Sequence, residues 1–130
     1  MKLNFVSMVG FLVIILLSAS PLLANKSAVS LEGPASAKKG QQVTLKVNVA
    51  HRGNSKFHYT KNLVVLANKK EIARWTFSPS SLPEAENFSR EIKLTIAEKT
   101  EVEAEARCNL HGSAGPSYLK INIQPAEKLL

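Results

Sequence analysis

Residues 42–51 alternate with a period of two: Val43, Leu45, Val47 and Val49 share one face, while Thr44, Lys46 and Asn48 share the other. A strand places successive side chains on opposite faces, so this spacing suits a half-buried β-strand and would not make a helical stripe. The pattern returns in 88–97, where Ile92, Leu94 and Ile96 alternate with Glu91, Lys93 and Thr95. It recurs in 101–108, with Val102, Ala104 and Ala106 against Glu103, Glu105 and Arg107, and in 117–124, with Leu119, Ile121 and Ile123 against Lys120 and Asn122. Segments 28–32, 58–67 and 71–77 are rich in the same residue types. Turn chemistry divides them at Gly33-Pro34, Lys39-Gly40, Arg52-Gly53-Asn54, Asn68-Lys69 and Pro79 through Pro83. Seven short strands at this spacing predict an all-β fold, an immunoglobulin-like antiparallel β-sandwich, with Trp75 as a core or edge packing residue.

The first 24 residues are read differently. Lys2 precedes an apolar run from Phe5 to Leu17, and Ser18-Ala19-Ser20-Pro21 breaks it before Leu22-Leu23-Ala24. This is the pattern of a cleaved signal peptide, too short for a comfortable membrane span. Residues 25–130 are then expected to form a single domain exported to the periplasm. Removing the leader takes away Lys2 and no acid, which leaves a net charge of +6. Aromatic residues are few and are not interleaved with arginine, so nucleic acid is not an expected partner. The excess of lysine would instead steer small anions.

All ten acids are glutamates. The absence of aspartate excludes a Ser-His-Asp triad and an EF-hand loop as usually written. One cysteine cannot form an internal disulfide. That residue, Cys108, lies in Cys108-Asn109-Leu110-His111-Gly112, and the two remaining histidines, His51 and His58, stand together upstream. A soft thiolate and an imidazole at Cys-x-x-His spacing reach one metal ion from a single turn, and Gly112 lets the backbone bend after them.

The expected topology brings the two clusters together. The 42–51 and 101–108 strands run in the same direction, so the loops after them share one pole of the sandwich. His51 and Cys108 close these strands on their inward parity, His58 leaves the first loop and His111 lies in the second. The four residues His51, His58, Cys108 and His111 form the candidate metal site.

Cys108 to Gly112 closely resembles the C-N-x-H-G signature of the desulfoferrodoxin and neelaredoxin superoxide reductases, and Val43 to Tyr59 is similar to that family's strand leading into two loop histidines. The resemblance implies a mononuclear non-haem iron, a Cys108 axial thiolate, equatorial imidazoles from His51, His58 and His111, and one-electron reduction of superoxide to peroxide. It also implies an electron-donor protein as partner, with Lys56 and Lys61 as positive charge near the mouth. Three departures stand out. The family's Glu-Lys-His segment, with a further ligand histidine and a catalytic lysine, is absent; its counterpart is read as Ser30-Leu31-Glu32-Gly33. Six residues separate His51 from His58 where five are usual, and Ser113-Ala114 replaces Leu-Trp. One alternative is a cupredoxin-like copper electron carrier using Cys108, His111 and His51 or His58, although both methionines lie in the leader. Another is a metal-free immunoglobulin-like module binding a partner across a sheet face.

Overall fold

The structure, a computed structural model, describes residues 25–126; the leader predicted over 1–24 lies outside them. Eight strands are present: β1 (Ala28–Glu32), β2 (Ser36–Ala37), β3 (Gln41–Ala50), β4 (Thr60–Ala67), β5 (Lys70–Thr76), β6 (Phe88–Ile96), β7 (Thr100–Cys108) and β8 (Ser117–Ile123). They form a three-stranded sheet in the order β1-β3-β6 and a five-stranded sheet in the order β2-β8-β7-β4-β5. The seven predicted strands are all found, with ends within two residues. The eighth, β2, is two residues long and pairs in parallel with β8, the one parallel pairing among the described strands. Two residues carry no readable period, so sequence reasoning had no handle on it.

The alternation places the core between the sheets. Val43, Leu45, Val47 and Val49 of β3 are buried, as are Val102, Ala104, Ala106 and Cys108 of β7, Leu63 and Val65 of β4, and Ile121 of β8. Phe88 and Ile96 close the ends of β6, and Trp75 packs on the core from edge strand β5. Each buried aliphatic side chain adds roughly 1.5–3 kcal/mol of transfer free energy.

The β4–β5 hairpin turns on Asn68 and Lys69, both in the left-handed region at φ 48° and 69°. Two such residues match the right-handed twist of the flanking strands, and asparagine tolerates the conformation best after glycine. Asn68 also accepts from the Glu101 amide and donates to the Lys99 carbonyl, which ties this hairpin to the β6–β7 turn at the far pole. The opposite pole is left to the β3–β4 and β7–β8 loops.

Leu45 is fully buried and Leu110 is 63% exposed, which gives a matched test of the core. Leu45→Ala should cost about 2–5 kcal/mol, while Leu110→Ala should change stability by about 0.5 kcal/mol or less. Urea unfolding checks this through the midpoint, with the slope unchanged in both variants.

Candidate metal centre

The ladder between β4 and β7 sets the site. Thr60 stands opposite Cys108, after which the register shifts so that Asn62 faces Arg107. This fixes the residues before Thr60 against the residues after Cys108. A narrow turn follows: the Cys108 amide donates to the Gly112 carbonyl (2.8 Å) and the Gly112 amide returns to the Cys108 carbonyl (3.2 Å). Gly112 adopts φ 74°, a conformation that a side chain there would strain. Three residues are thereby looped out, and His111 points back over the cysteine.

Asn109 locks the two loops together. Its amide donates to the Tyr59 carbonyl (3.0 Å). Its side-chain Oδ1 accepts from the Tyr59 amide (2.9 Å), and Nδ2 donates to the Phe57 carbonyl (3.1 Å). His58 is held between these two anchor points. On its other flank, Gly53 runs so close that an added Cβ would sit 2.5 Å from His58 Nδ1. The ring is wedged with Nε2 facing His111.

All four candidate side chains meet at this pole. One ligand atom each from His51, His58 and Cys108 lies within 4.8 Å of the other two. His111 Nδ1 is 3.3 Å from His58 Nε2 and 3.8 Å from Cys108 Sγ. With metal bonds of ~2.0–2.3 Å, neighbouring ligands around a tetrahedral ion lie roughly 3.3–3.6 Å apart. The observed spacings need only small side-chain adjustments to meet that geometry.

Burial sharpens the fit. Cys108 is 2% exposed and His51 4% exposed, whereas His111 is open to solvent. Neither ring nitrogen of His51 has a hydrogen-bond partner, and leaving a buried polar atom unpaired costs about 1–3 kcal/mol. A cation between the rings would satisfy one of them. Burial pushes the His51 pKa below its ordinary value, and the neighbouring His58 ring adds to this; the nearby backbone of Asn25 and Gly53 and the Glu86 carboxylate act the other way. A neutral imidazole is the form that ligates. The Leu110 amide donates to Cys108 Sγ at 3.4 Å, a contact that suits a sulfur carrying charge. Three imidazoles and one thiolate are a donor set for iron, zinc or copper.

Ser30-Leu31-Glu32-Gly33, read as the counterpart of Glu-Lys-His, runs away from the ligand pole. Ala28 pairs with Ala50, so Ser30 and Glu32 run down β1 away from His51, opposite Asn48 and Lys46. The residues beside the ligand turn are Asn25-Lys26-Ser27. The Ser27 amide donates to the Gly112 carbonyl (3.3 Å), and its own carbonyl accepts from the Ala114 amide (2.9 Å). Its hydroxyl bonds the Thr60 hydroxyl at 2.8 Å, fully buried. A lysine, Lys26, therefore stands at this pole, followed by the buried Ser27. Sequence reasoning also passed over Gly53, seen only as a turn, and Asn87, whose Oδ1 accepts from the His51 amide at 3.1 Å. Neither residue type signals a ligand clamp before the loops are placed.

Gly53→Ala should push His58 aside and weaken metal affinity at least ten-fold, read by competition with a chromogenic chelator, with circular dichroism unchanged. The lowered His51 pKa has a defined sign for stability. Below about 6.5 the unfolded chain takes up this proton more readily than the folded one, so stability falls as pH drops through 6.5 and levels off below the folded value. Urea midpoints of the metal-free protein should therefore decrease between about pH 8 and pH 5, and His51→Gln should remove part of that slope.

Comparison with known proteins bears on the fold and the family. Among curated proteins no relative matches. A solved superoxide reductase (neelaredoxin) from Ignicoccus hospitalis is 18% identical, covers 82% of this chain and 89% of its own, and superposes with a TM-score of 0.68. The sulfur carrier protein SoxY from Chlorobium limicola f thiosulfatophilum (11% identity, 75% and 79% covered, TM-score 0.52) shares the fold at greater distance. So does a CARDB domain from Pyrococcus furiosus (14%, 75% and 94%, 0.55). At these identities the likeness is one of fold. These matches favour neither the cupredoxin reading nor the metal-free module. The desulfoferrodoxin family matches residues 24–113, a span that takes in both ligand loops and most of the sandwich, and the chain belongs to that family.

Proposed function

We propose that the chain is an exported, mononuclear iron protein of the superoxide reductase type, acting in the periplasm. The observation that carries the reading is the convergence of His51, His58, Cys108 and His111 at one pole, with both buried His51 nitrogens unpartnered. Cys108 would be the thiolate ligand and the three histidines the imidazole ligands. Iron held by this set would supply the one-electron reduction of superoxide to peroxide, with an electron-donor protein restoring the reduced state.

The chain's own residues have definable parts in this. The Leu110 amide directs a hydrogen bond to the sulfur and so tunes its electron donation. His111, exposed, leaves one side of the centre open to a small anion. Lys26, half-buried beside the ligand turn, and the exposed Arg52, Lys56 and Lys61 place positive charge around that opening. No acid occurs between Ala50 and Trp75 except Glu71, at the far end of β5. That distribution draws superoxide inward and lets peroxide leave after protonation. With three histidines rather than four, the site has one protein ligand fewer than the resemblance describes.

The test is metal analysis of the mature domain after iron loading, optical spectra in both redox states, and superoxide consumption with peroxide counted. Stoichiometric iron, a thiolate charge-transfer band and one peroxide per superoxide are expected. Cys108→Ser should abolish the band and weaken iron binding by roughly ten-fold or more, and Lys26→Ala should slow superoxide consumption without releasing iron. An iron-loaded protein that shows no thiolate charge-transfer band, or consumes no superoxide, would refute the reading.

A further inference from the structure

Among the described strands, β6 is the one long sheet edge that nothing blunts. The edge strand β5 is interrupted by the register shift at Val65/Leu66, and such a bulge disturbs regular pairing. On the opposite edge of that sheet β2 is two residues long, and in the other sheet β1 ends after five, at Gly33-Pro34. β6 runs nine residues, with an unbroken ladder to β3 and neither glycine nor proline. An edge of this kind is a template for a further strand, and proteins that stay apart usually disable it.

The backbone of β6 has a bonded side and an open side. The Ile96 carbonyl accepts from the Gly40 amide at 2.7 Å, on the side of β3. Hydrogen-bonding direction alternates along an antiparallel strand, so the even-numbered residues bond β3 and the odd-numbered ones face outward. The Ser89 carbonyl agrees with this, since it is capped by the guanidinium of Arg90 at 2.8 Å. Glu91, Lys93 and Thr95 thus turn their amides and carbonyls to the open edge. Their side chains are exposed, and neither Glu91 nor Lys93 joins an ion pair with a described residue.

We propose that β6 pairs antiparallel with β6 of a second copy of this chain, about a two-fold axis at Ile92, joining the two three-stranded sheets into one. In this register Glu91 of each copy faces Lys93 of the other, Ser89 faces Thr95, and Ile92 meets Ile92. An axis at Glu91 or at Lys93 would set like charges directly opposite, which is destabilising. An axis between two residues would lay the outer face of one copy beside the core face of the other. The edge is therefore complementary to itself in a single register, as an isologous interface requires. Half-buried Ile92 and Leu94 gain cover at the seam. β6 starts at the metal pole, where Phe88 pairs with Val49, so the antiparallel join sends the two metal sites to opposite ends and leaves both open. Nothing in this inference depends on which metal is bound.

Sedimentation equilibrium of the purified mature chain, at low salt and over concentrations up to millimolar, tests the pairing. Wild type should dimerise reversibly. Each substitution counts twice across the axis, so Glu91→Lys and Lys93→Glu should each weaken dimerisation at least ten-fold. Mixed in equal amounts, these two variants should form a heterodimer of near wild-type affinity, because opposite charges then face each other again. Lys93→Pro removes only an outward amide; it should abolish dimerisation while circular dichroism and the urea midpoint stay near wild type. Lys120→Glu, on β8 of the other sheet, should leave dimerisation within two-fold. A wild-type chain that stays monomeric, a dimer that the β6 variants leave intact, or single variants that fail to pair in the mixture would each overturn the proposal. Should Lys93→Pro not fold, the charge-swapped mixture decides.

Discussion

The β4–β7 register is the constraint from which the rest of the pole follows. Because Thr60 faces Cys108, the two residues before Thr60 and the three after Cys108 have no freedom to separate. A slip of one residue would turn either Leu63 and Val65 or Val102 and Ala104 out of the core. The register is thus enforced by hydrophobic burial along the whole ladder, and the site inherits its precision from that burial. Asn109 then converts strand registry into side-chain registry, using three hydrogen bonds to the backbone around His58.

Much of this was legible in the chain. Alternation found four of the seven longer strands because each has one face in the core and one in water, the condition under which a period of two is visible, and residue type with turn chemistry found the other three. Strand order placed His51 and Cys108 at one pole, and there the structure groups them with His58, with His111 lying against His58 and Cys108. What escaped was whatever depends on partners rather than on period. The two-residue β2 has no pattern of its own. The stretch at 25–27 was hidden because nothing in Asn-Lys-Ser announces a bridge to Ser113, and Ser27 is buried by its neighbours, not by its own hydrophobicity. Residues 30–33, read as the family's counterpart segment, lie where β1 has already left the pole.

The close approach of Gly53 to His58 shows a second kind of concealment. In the sequence, glycine after arginine reads as a turn; in the fold its missing Cβ is the space that the imidazole fills. Small residues at such points specify a site by what they lack, and only packing exposes them.

His51 hangs from β3 in the three-stranded sheet, while Cys108 ends β7 in the five-stranded one. Antibody domains join their two sheets with a disulfide through the core. This chain has a single cysteine and no such rivet. An ion gripped by His51 and Cys108 together would serve as one, a clasp at the rim that loads and unloads with the surrounding ion concentration. The firmness of the whole sandwich would then rise and fall with occupancy at one end, by mass action, and the protein's lifetime would be set by the same atoms as its chemistry.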